Sequence, residues 1–476
     1  MAVTHLQCKE CKSEYPLEAL YVCERCFGPL EVAYDHSRLA GGDSGELRRR
    51  IQAGPQNIWR YADFLPTTAY GRGTPGGLPE NTGGGGSVRT GLPAGCTPLI
   101  RADRLAQRLG LREVWVKNDA ANPTHSFKDR VVSVACARAR ELGFQTIACA
   151  STGNLAGSVA AHGAALGLQS YVFIPSDLEE QKVLATGVYG TKLVAVEGNY
   201  DDVNRLCTEL CAERDWAFVN VNLRPYYAEG SKTLAFEIAE QLGFQLPDRI
   251  VAPVASGSLF TKIGRGFEEW LSSEVGLLEG ELPKMNGAQA EGCAPVAKAF
   301  AAGHDVCRPV KPDTIAKSLA IGNPADGPYA LELARATGGS VDAVSDEEIR
   351  QGIALLAQTT GVFTETAGGV TTAVLAKLAE RGEIDPDERV VLVITGEGLK
   401  TLDAVRGTFE THTIAPTVEA FETVEADGLR EAASSVAYVP STPRSLRPDR
   451  SEINGISDRS ARPSTPTVGS SREFTV

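Results

Sequence analysis

The chain has 476 residues, of which 42% are hydrophobic and 22% are charged. This balance is typical of globular proteins and excludes a wholly disordered, collagen-like or coiled-coil chain. Sixty acidic and 47 basic residues give a formal net charge of −13, which argues against general binding to nucleic acid or to anionic membranes.

The first unit in chain order is a short cysteine-rich segment, which we place at residues 1–35. Two pairs of cysteines occur in it, Cys8-x2-Cys11 and Cys23-x2-Cys26. Two such pairs can bring four thiolates to the corners of a tetrahedron, which is the arrangement that Zn²⁺ takes. Four unrelated core thiols and a redox-active pair are the alternatives, but neither explains two pairs so close together. The pattern therefore predicts a zinc ribbon with Cys8, Cys11, Cys23 and Cys26 as the metal ligands.

The N-terminal segment also bears on the cellular compartment. Met1 to Lys12 is polar and lacks the apolar core of a secretory signal, and no apolar run approaches the ~18 residues needed to span a bilayer. The remaining cysteines lie in apolar or helical segments and are typical of reduced thiols: Cys96, Cys136, Cys149, Cys207, Cys211, Cys293 and Cys307. We therefore expect a cytoplasmic protein that binds neither membrane nor nucleic acid.

Two segments have compositions that are unsuited to a packed core. The stretch 67–95 is rich in glycine and includes Gly83 to Gly86. It buries too little apolar surface to offset its backbone entropy, so we predict a flexible insertion. We exclude a phosphate-binding loop there, because no strand precedes the glycines and no helix follows them. The same reasoning predicts a disordered tail at 436–476, which is rich in Ser, Arg, Pro and Thr.

The region 45–435 alternates between apolar, strand-like runs and helix-length amphipathic runs. We predict helices from Asp129 to Leu142 and from Leu155 to Leu166, each closed by a glycine. The predicted strands are 114–116, 146–150, 171–174, 192–196, 217–220, 250–254 and 390–394. Such alternation implies an α/β fold with parallel sheets covered on both faces. Because ligands of these folds bind at the carboxyl ends of strands, the loops after the strands hold the candidate site.

The first of these loops, Asn122 to Arg130, leads from a strand into a helix and contains Lys128. We expect the hydroxyl of Ser126 to cap that helix and the carboxylate of Asp129 to favour its positive end. An ammonium is disfavoured at this end, so the pKa of Lys128 should be lowered toward the neutral amine that attacks a carbonyl. A solvated lysine paired with Asp129 is the alternative.

Three further loops follow predicted strands. Ser151-Thr152-Gly153-Asn154 offers hydroxyls and helix N–H groups to a carboxylate. The segment 255–259 is typical of a loop whose backbone N–H groups bind a phosphate ester, and Thr395 places a hydroxyl after the last strand. Each loop alone is also consistent with an ordinary turn. Together, a lysine, an amide, a phosphate loop and a strand-end hydroxyl are what a pyridoxal phosphate site requires.

These loops resemble the motifs of a known family. Asn-Pro-Thr-x-Ser-Phe-Lys-Asp-Arg, Ser-Thr-Gly-Asn and Thr-Gly-x-Gly-Leu-Lys are similar to those of threonine synthases, which belong to the fold type II, tryptophan-synthase-β-like group of pyridoxal-phosphate enzymes. The two cysteine pairs resemble the zinc ribbon found on some threonine synthases and cysteate synthases. The resemblance implies two lobes, each with a parallel sheet, and a cofactor between them. It also implies a homodimer.

The resemblance further implies a role for each matching residue. Lys128 would bind pyridoxal 5'-phosphate covalently and move protons. The other cofactor-binding residues would be Phe127 near the ring, Asn154 on the phenolic oxygen, Thr395 on the ring nitrogen, and Ala255, Ser256, Gly257, Ser258 and Leu259 around the phosphate. The substrate-binding residues would be Ser151, Thr152 and Gly153 for the carboxylate, together with Arg224. A neutral hydroxyl at the ring nitrogen favours elimination and replacement at Cβ and Cγ.

The activity that the resemblance implies is the conversion of O-phospho-L-homoserine and water to L-threonine and phosphate. A cysteate synthase or another fold type II lyase is the alternative, because His125 and Arg224 depart from the family pattern and leave the substrate open. A non-catalytic zinc-ribbon binding module is the alternative from a different class. Few basic or aromatic residues flank the cysteine pairs, which argues against that module.

Overall fold

The computed structural model of the chain describes residues 2–39, 43–67, 91–151, 153–178, 180–198 and 200–425. The predicted insertion lies outside the described residues from 68 to 90, and the predicted tail at 436–476 lies wholly outside them. Thr152, a predicted substrate ligand, is also outside them. No helix in the described part of the chain is long and apolar enough to cross a bilayer.

The N-terminal segment forms a three-stranded antiparallel sheet of order β2-β1-β3. Its strands are β1 (Val3–Cys8), β2 (Glu14–Tyr15) and β3 (Leu30–Tyr34). Leu6, Leu30 and Val32 on this sheet are buried in the same apolar cluster as Val131 and Tyr226, which lie far along the chain. The core of the cysteine-rich segment is therefore continuous with the core of the following region.

The remaining elements follow the predicted alternation. In chain order they are α1 (Ser44–Gln52), β4 (Leu99–Arg101), α2 (Asp103–Leu109), β5 (Glu113–Asn118), α3 (Lys128–Glu141), β6 (Thr146–Ala150), α4 (Asn154–Leu166), β7 (Gln169–Pro175), α5 (Glu180–Gly187), β8 (Lys192–Val196), α6 (Tyr200–Glu213), β9 (Ala217–Phe218), α7 (Arg224–Glu229), α8 (Lys232–Gln241), β10 (Arg249–Pro253), α9 (Ser258–Leu271), β11 (Lys284–Ala290), α10 (Pro295–Ala301), α11 (Gly327–Ala336), β12 (Val341–Val344), α12 (Asp346–Thr360), α13 (Thr366–Glu380), β13 (Arg389–Ile394) and α14 (Val418–Val424).

These strands form two sheets. The larger sheet has the order β12-β11-β10-β13-β5-β4, and only β4 at its edge runs antiparallel to its neighbour. The smaller sheet has the order β8-β7-β6-β9 and is wholly parallel. The predicted α/β fold with parallel sheets is therefore confirmed, and α3 connects a strand of one sheet to a strand of the other.

All seven predicted strands overlap strands of these sheets. The strand predicted at 217–220 is shorter than expected and consists of Ala217–Phe218, because the chain turns away once Val219 has bonded to Ala148. Our prediction missed Lys284–Ala290, which contains no β-branched residue. Its neighbours decide its conformation: a side chain at Gly287 would lie 2.8 Å from Val254 and 3.2 Å from Val341.

Helix α13 lies deep in the larger lobe and approaches α12 closely. Its first turns are built from small residues, and a Cβ atom at Gly369 would lie 2.6 Å from the carbonyl oxygen of Ile349. Glycine at this position lets the two helix backbones come together. The close contact fixes the first turn of α13, which begins beside the candidate site.

A buried network of charges ties α3 to β5 and to α8. The guanidinium of Arg130 donates to Asp119 at 2.7 Å and to Glu237 at 2.6 Å, and Lys117 Nζ donates to Glu237 at 2.7 Å. These four side chains are at most 1% exposed. Two cations and two anions balance within the network, so α3 is anchored with no uncompensated charge.

Candidate active site

The predicted loops meet at the carboxyl ends of the strands. The loop before α3 lies against the loop after β13: Phe127 N donates to the carbonyl of Thr395 at 3.0 Å, and Ser126 pairs with Gly396. Lys400 Nζ reaches across to the carbonyl of Thr124 at 2.6 Å. Sequence positions more than 260 residues apart therefore form one surface between the two sheets, roughly as the strand-end rule predicts.

Lys128 is the first residue of α3 and its side chain is half-buried. Its Nζ lies 4.4 Å from the ring centroid of Phe127 and 5.8 Å from that of Tyr227. Among the described residues, no side chain or backbone group forms a hydrogen bond with this Nζ. Burial lowers the pKa of Lys128 to about 8, although the charge of Glu365 opposes that shift. The lowered pKa was predicted, and the main cause of the lowering in the structure is burial.

The neighbours of Lys128 differ from the simplest expectation. Phe127 occupies the capping position of α3, and the hydroxyl of Ser126 accepts from the backbone N of Lys128 at 3.3 Å. Asp129 does not pair with Lys128, because its carboxylate accepts from Thr124 Oγ1 at 2.7 Å and from Ser158 Oγ at 2.6 Å. The amine of Lys128 is therefore left for a ligand.

Asn154 is the first residue of α4, and both ends of its amide are engaged. Its Nδ2 donates to the carboxylate of Glu365 at 2.9 Å, and its Oδ1 accepts from Lys400 Nζ at 2.8 Å. Glu365 is buried, and burial raises the pKa of its carboxyl group. A Cβ atom on Gly396 would lie 2.4 Å from the Glu365 side chain, so glycine there makes room for the carboxylate. The amide orientation is thus fixed by a partner on each side.

The loop that precedes α4 is open to a ligand. Ser151 is buried at the end of β6, and its hydroxyl accepts from Gly153 N at 3.3 Å. Gly153 is the capping residue of α4, no side chain caps the helix there, and a Cβ atom on it would meet no atom within 4 Å. Helix N–H groups facing open space are suited to a carboxylate.

The predicted phosphate loop, Ala255 to Leu259, leads from β10 into the 14-residue helix α9. Gly257 has a positive φ of 96°, and a Cβ atom on it would lie 2.6 Å from the carbonyl oxygen of Asp326. The hydroxyl of Ser256 accepts from Ser258 N at 3.4 Å, and the capping residue Gly257 has no side chain. Only glycine fits here, and the other N–H groups of the first turn are suited to an anion.

Thr395 and Arg224 lie in different surroundings. Thr395 is buried after β13, and its hydroxyl has no hydrogen-bonding partner within the described part of the chain. Arg224 begins α7, and its Nη2 donates to the carboxylate of Asp326 at 2.8 Å. Asp326 N in turn donates to the carbonyl of Ser256 at 2.8 Å. Arg224 is therefore placed beside the phosphate loop.

The sequence analysis did not identify two residues near Lys128, namely Glu365 and Tyr227. Glu365 begins a helix without following a strand, so the search of strand-end loops passed over it. Tyr227 lies inside α7, where an aromatic residue is expected to be part of the core. The run of small residues after Glu365 was the available signal. It indicates a tightly packed helix start, where a carboxylate is unusual because Glu is seldom buried.

The four cysteines of the N-terminal sheet also come together. All their Sγ atoms lie within 4.8 Å of one another, with 3.5 Å between Cys8 and Cys26 and 3.5 Å between Cys11 and Cys23. A tetrahedron with Zn–S bonds of ~2.3 Å has sulfur atoms ~3.8 Å apart. The arrangement therefore fits a four-thiolate zinc site.

The residues around Lys128 fit pyridoxal phosphate on their own chemistry. An amine with no hydrogen-bonding partner among the described residues suits the cofactor aldehyde, and the start of α9 after a glycine of positive φ suits its phosphate. The fold and the site thus define a pyridoxal-phosphate enzyme of fold type II.

Comparison with known proteins agrees with this class. A family model described as "Pyridoxal-phosphate dependent enzyme" matches residues 91–396. Among solved structures, threonine deaminase isoform 2 from Solanum lycopersicum has a TM-score of 0.54 at 22% identity, covering 63% of this chain and 79% of that one. Cysteine synthase from Entamoeba histolytica has a TM-score of 0.55 at 17% identity, covering 67% of this chain and 90% of that one. These structures share the fold.

Similarity to curated proteins narrows the assignment from the class of enzyme to a family. The threonine synthase of Methanocaldococcus jannaschii is 39% identical over 401 residues, which is 84% of this chain and 93% of that protein. The threonine synthase of Methanosarcina acetivorans is 37% identical over 431 residues, which is 90% of this chain and 98% of that protein. The chain belongs to the pyridoxal-phosphate dependent enzymes and, within them, to the threonine synthase family.

Proposed function

We propose that the protein converts O-phospho-L-homoserine and water to L-threonine and phosphate. The observation that carries the proposal is the amine of Lys128, which has a pKa of about 8, lies 4.4 Å from the ring centroid of Phe127 and is reached by the charge of Glu365, the partner of Asn154. Bound pyridoxal phosphate would supply electron withdrawal that acidifies the Cα and Cβ hydrogens of an amino acid. The side chains of this chain would then bind, orient and exchange protons with the substrate.

Lys128 serves as the general acid and base in this proposal. A group whose pKa lies near the working pH can both accept and donate a proton, and at about 8 Lys128 meets that condition. The rings of Phe127 and Tyr227 lie next to its Nζ and keep water away from the proton that it holds. This environment supports Lys128 as the residue that removes and returns protons at Cα and Cβ.

The remaining residues bind and orient. Ser151, Thr152, Gly153 and the start of α4 would hold the substrate carboxylate, and Ala255 to Leu259 would hold the cofactor phosphate. Asn154 would donate to the phenolic oxygen of the cofactor, with its amide oriented by Glu365 and Lys400. Thr395 would face the ring nitrogen with a neutral hydroxyl, which favours replacement at Cβ and Cγ.

Phosphate release from O-phospho-L-homoserine and identification of the amino acid product test this function. We expect stoichiometric phosphate and L-threonine. O-phospho-L-serine with sulfite is the matched control, because its turnover to cysteate would instead assign a cysteate synthase. Failure of the purified protein to act on either substrate would reject both assignments.

We further propose a division of the chain into a zinc ribbon at 1–35, a catalytic region at 45–435 and a tail at 436–476. The ribbon would bind structural Zn²⁺ through Cys8, Cys11, Cys23 and Cys26, since four thiolates leave no open position for substrate. None of the eleven cysteines forms a disulfide, which supports a cytoplasmic location.

A homodimer is the remaining part of the proposal. The segment 399–421 carries exposed apolar side chains, including Phe409 at 70% exposure and Val418 at 67%. Apolar side chains this exposed support a subunit contact. Light scattering during size-exclusion chromatography would give the mass: twice that of one chain is expected, and the mass of a single chain would exclude the dimer.

A further inference from the structure

Asp326, just before α11, is a buried carboxylate that faces two cations. Its Oδ2 accepts from Arg224 Nη2 at 2.8 Å, and its Oδ1 lies 3.6 Å from Lys9 Nζ. Lys9 belongs to the N-terminal sheet, between Cys8 and Cys11, whereas Arg224 begins α7. The cysteine-rich segment therefore contributes a charge to a cluster in the catalytic region.

Lys9 and Arg224 share one acid as their ion-pair partner, although the charges of Glu31 and Lys262 also reach Lys9. Within the described part of the chain, Asp326 is the only acid that forms an ion pair with Lys9 or with Arg224. Of the guanidinium nitrogens of Arg224, only Nη2 is hydrogen-bonded to a described residue. An Arg side chain has five N–H donors, so several remain for a ligand.

Lys9 is held firmly in place. Its Nζ lies 3.5 Å from the ring centroid of Tyr329, and the hydroxyl of Tyr329 donates to Glu10, the residue that follows Lys9. The Lys9 side chain is 16% exposed, so part of it is still reached by solvent. A cation that is fixed and accessible is suited to binding an anion.

The cluster borders the reaction centre. Asp326 N donates to the carbonyl of Ser256 in the phosphate loop at 2.8 Å. Arg224 lies three residues before Tyr227, and residues at this spacing share one face of a helix. The Tyr227 ring is 5.8 Å from Lys128 Nζ. Arg224 therefore begins a helix that borders both the phosphate loop and the proposed catalytic amine, and Asp326 links Lys9 to Arg224.

We propose that Lys9 and Arg224 together bind the phosphate ester of the substrate. A phosphate monoester carries a charge of about −1.5 to −2 near neutral pH, which attracts it to Lys9 and Arg224 even though Asp326 offsets one of their two charges, and a guanidinium binds phosphate oxygens in pairs. Asp326 holds the two cations side by side. The inference rests on the proposed function and adds to it a residue of the cysteine-rich segment.

Lys9→Met tests the proposal in the holoenzyme, because it removes the charge and keeps the length of the side chain. We expect the KM for O-phospho-L-homoserine to rise about tenfold with kcat changed less than twofold, and the inhibition constant of inorganic phosphate to rise by the same factor. Lys9→Arg should restore most of both. Lys192→Met is the control: Lys192 is an exposed lysine of β8 that donates to the hydroxyl of Tyr171, and its loss should change neither value.

Zinc content and cofactor affinity complete the test. Both should equal those of the wild type in Lys9→Met, which shows that the ribbon and the cofactor site are intact. Unchanged KM and unchanged phosphate inhibition would overturn the proposal. A weaker affinity for pyridoxal phosphate with an unchanged KM would also overturn it, because the cations would then serve the cofactor's phosphate.

Failure of the proposed anion site can be distinguished from failure of the proposed function. Calorimetric binding of inorganic phosphate to the holoenzyme requires no turnover. If the wild type failed to act on O-phospho-L-homoserine, the function would be rejected, and an equal phosphate affinity of the wild type and Lys9→Met would independently reject the anion site.

Discussion

At the scale of single residues, the protonation of Lys128 decides what the site can do. A lysine of ordinary pKa, 10.5, is almost wholly charged near pH 7, whereas one with a pKa of about 8 is neutral in roughly a tenth of the molecules. The neutral fraction is therefore larger by about 300-fold. The neighbouring rings produce this gain by excluding water, and the buried carboxylate of Glu365 limits it.

The rate at which the apoenzyme takes up pyridoxal phosphate should follow this protonation. Only the neutral amine attacks the aldehyde, so the rate should rise with pH, reach half of its maximum at about pH 8 and then level off. Growth of the visible absorbance band after mixing measures the rate. Lys128→Ala should form no such band, and a wild-type midpoint near 10 would contradict the assigned pKa.

Glu365→Gln should lower that midpoint. The carboxylate of Glu365 is the charge that raises the pKa of Lys128, so a neutral amide of the same shape should leave burial as the main influence. The same absorbance measurement, repeated on the variant, reports the shift. Glu397→Gln is the control, since the Glu397 carboxylate accepts from Leu399 N and does not set the pKa of Lys128. Equal midpoints for Glu365→Gln and the wild type would show that Glu365 does not face the amine.

At the scale of elements, the cysteine-rich sheet is joined to the helices of the catalytic region. Tyr34 of β3 donates to Glu229 at 2.7 Å, and Tyr226 of α7 donates to the carbonyl of Glu18 at 2.8 Å. The link at Glu229 is buried, because the side chains of Glu229 and of its ion-pair partner Lys232 are at most 1% exposed. Loss of order in this sheet should therefore reach α7, which carries Arg224 and Tyr227.

Cys23→Ser should show this dependence. Removing one of four thiolates weakens a structural metal site, so we expect loss of stoichiometric zinc and a Tm lower by several degrees. Elemental analysis and thermal denaturation followed by circular dichroism measure the two effects. Cys211→Ser, at a half-buried thiol on α6, should keep its zinc and its Tm. Full zinc content in Cys23→Ser would reject the four-cysteine site.

The elements also show what the sequence can and cannot predict. Lys128, Ser151, Gly257 and Thr395 could be predicted as candidates because each lies in or just after a loop that follows an apolar strand, and such loops converge in parallel sheets. Glu365 was not found, because its position depends on how α13 packs on α12. Asp326 was not found either, since its two partners lie over 100 and over 300 residues away along the chain.

At the scale of the whole molecule, buried charges connect α3 to β5 of the larger sheet and to α8. Lys117 lies on β5 of the larger sheet, Glu237 on α8, and Arg130 on α3, which leads into the smaller sheet. Because all of them are buried, each cation needs its anion, and removal of one partner leaves a charge without compensation. This network holds α3, and with it Lys128, in place between the sheets.

Glu237→Gln should therefore destabilise the protein strongly. The variant leaves two buried cations with one anion, and breaking a buried ion pair typically costs about 3–5 kcal/mol. Urea denaturation followed by circular dichroism measures the loss. Glu347→Gln removes an exposed ion pair with Arg350 and should cost less than about 1 kcal/mol. Similar losses in the two variants would show that the buried network does not determine stability.

The pH dependence of stability offers a second measurement of the same network. Burial alone would raise the pKa of Glu237, but the charges of Arg130 and Lys117 overcome that effect and lower it to about 2. A carboxyl group whose pKa is lower in the folded state than its unfolded value of 4.5 stabilises the protein at pH values above 4.5. That contribution is lost as the pH falls toward 2. The wild type should therefore lose stability over this range more steeply than Glu237→Gln, in which this group does not titrate. Parallel curves for the two proteins between pH 5 and about 2 would place the acid sensitivity in other carboxylates.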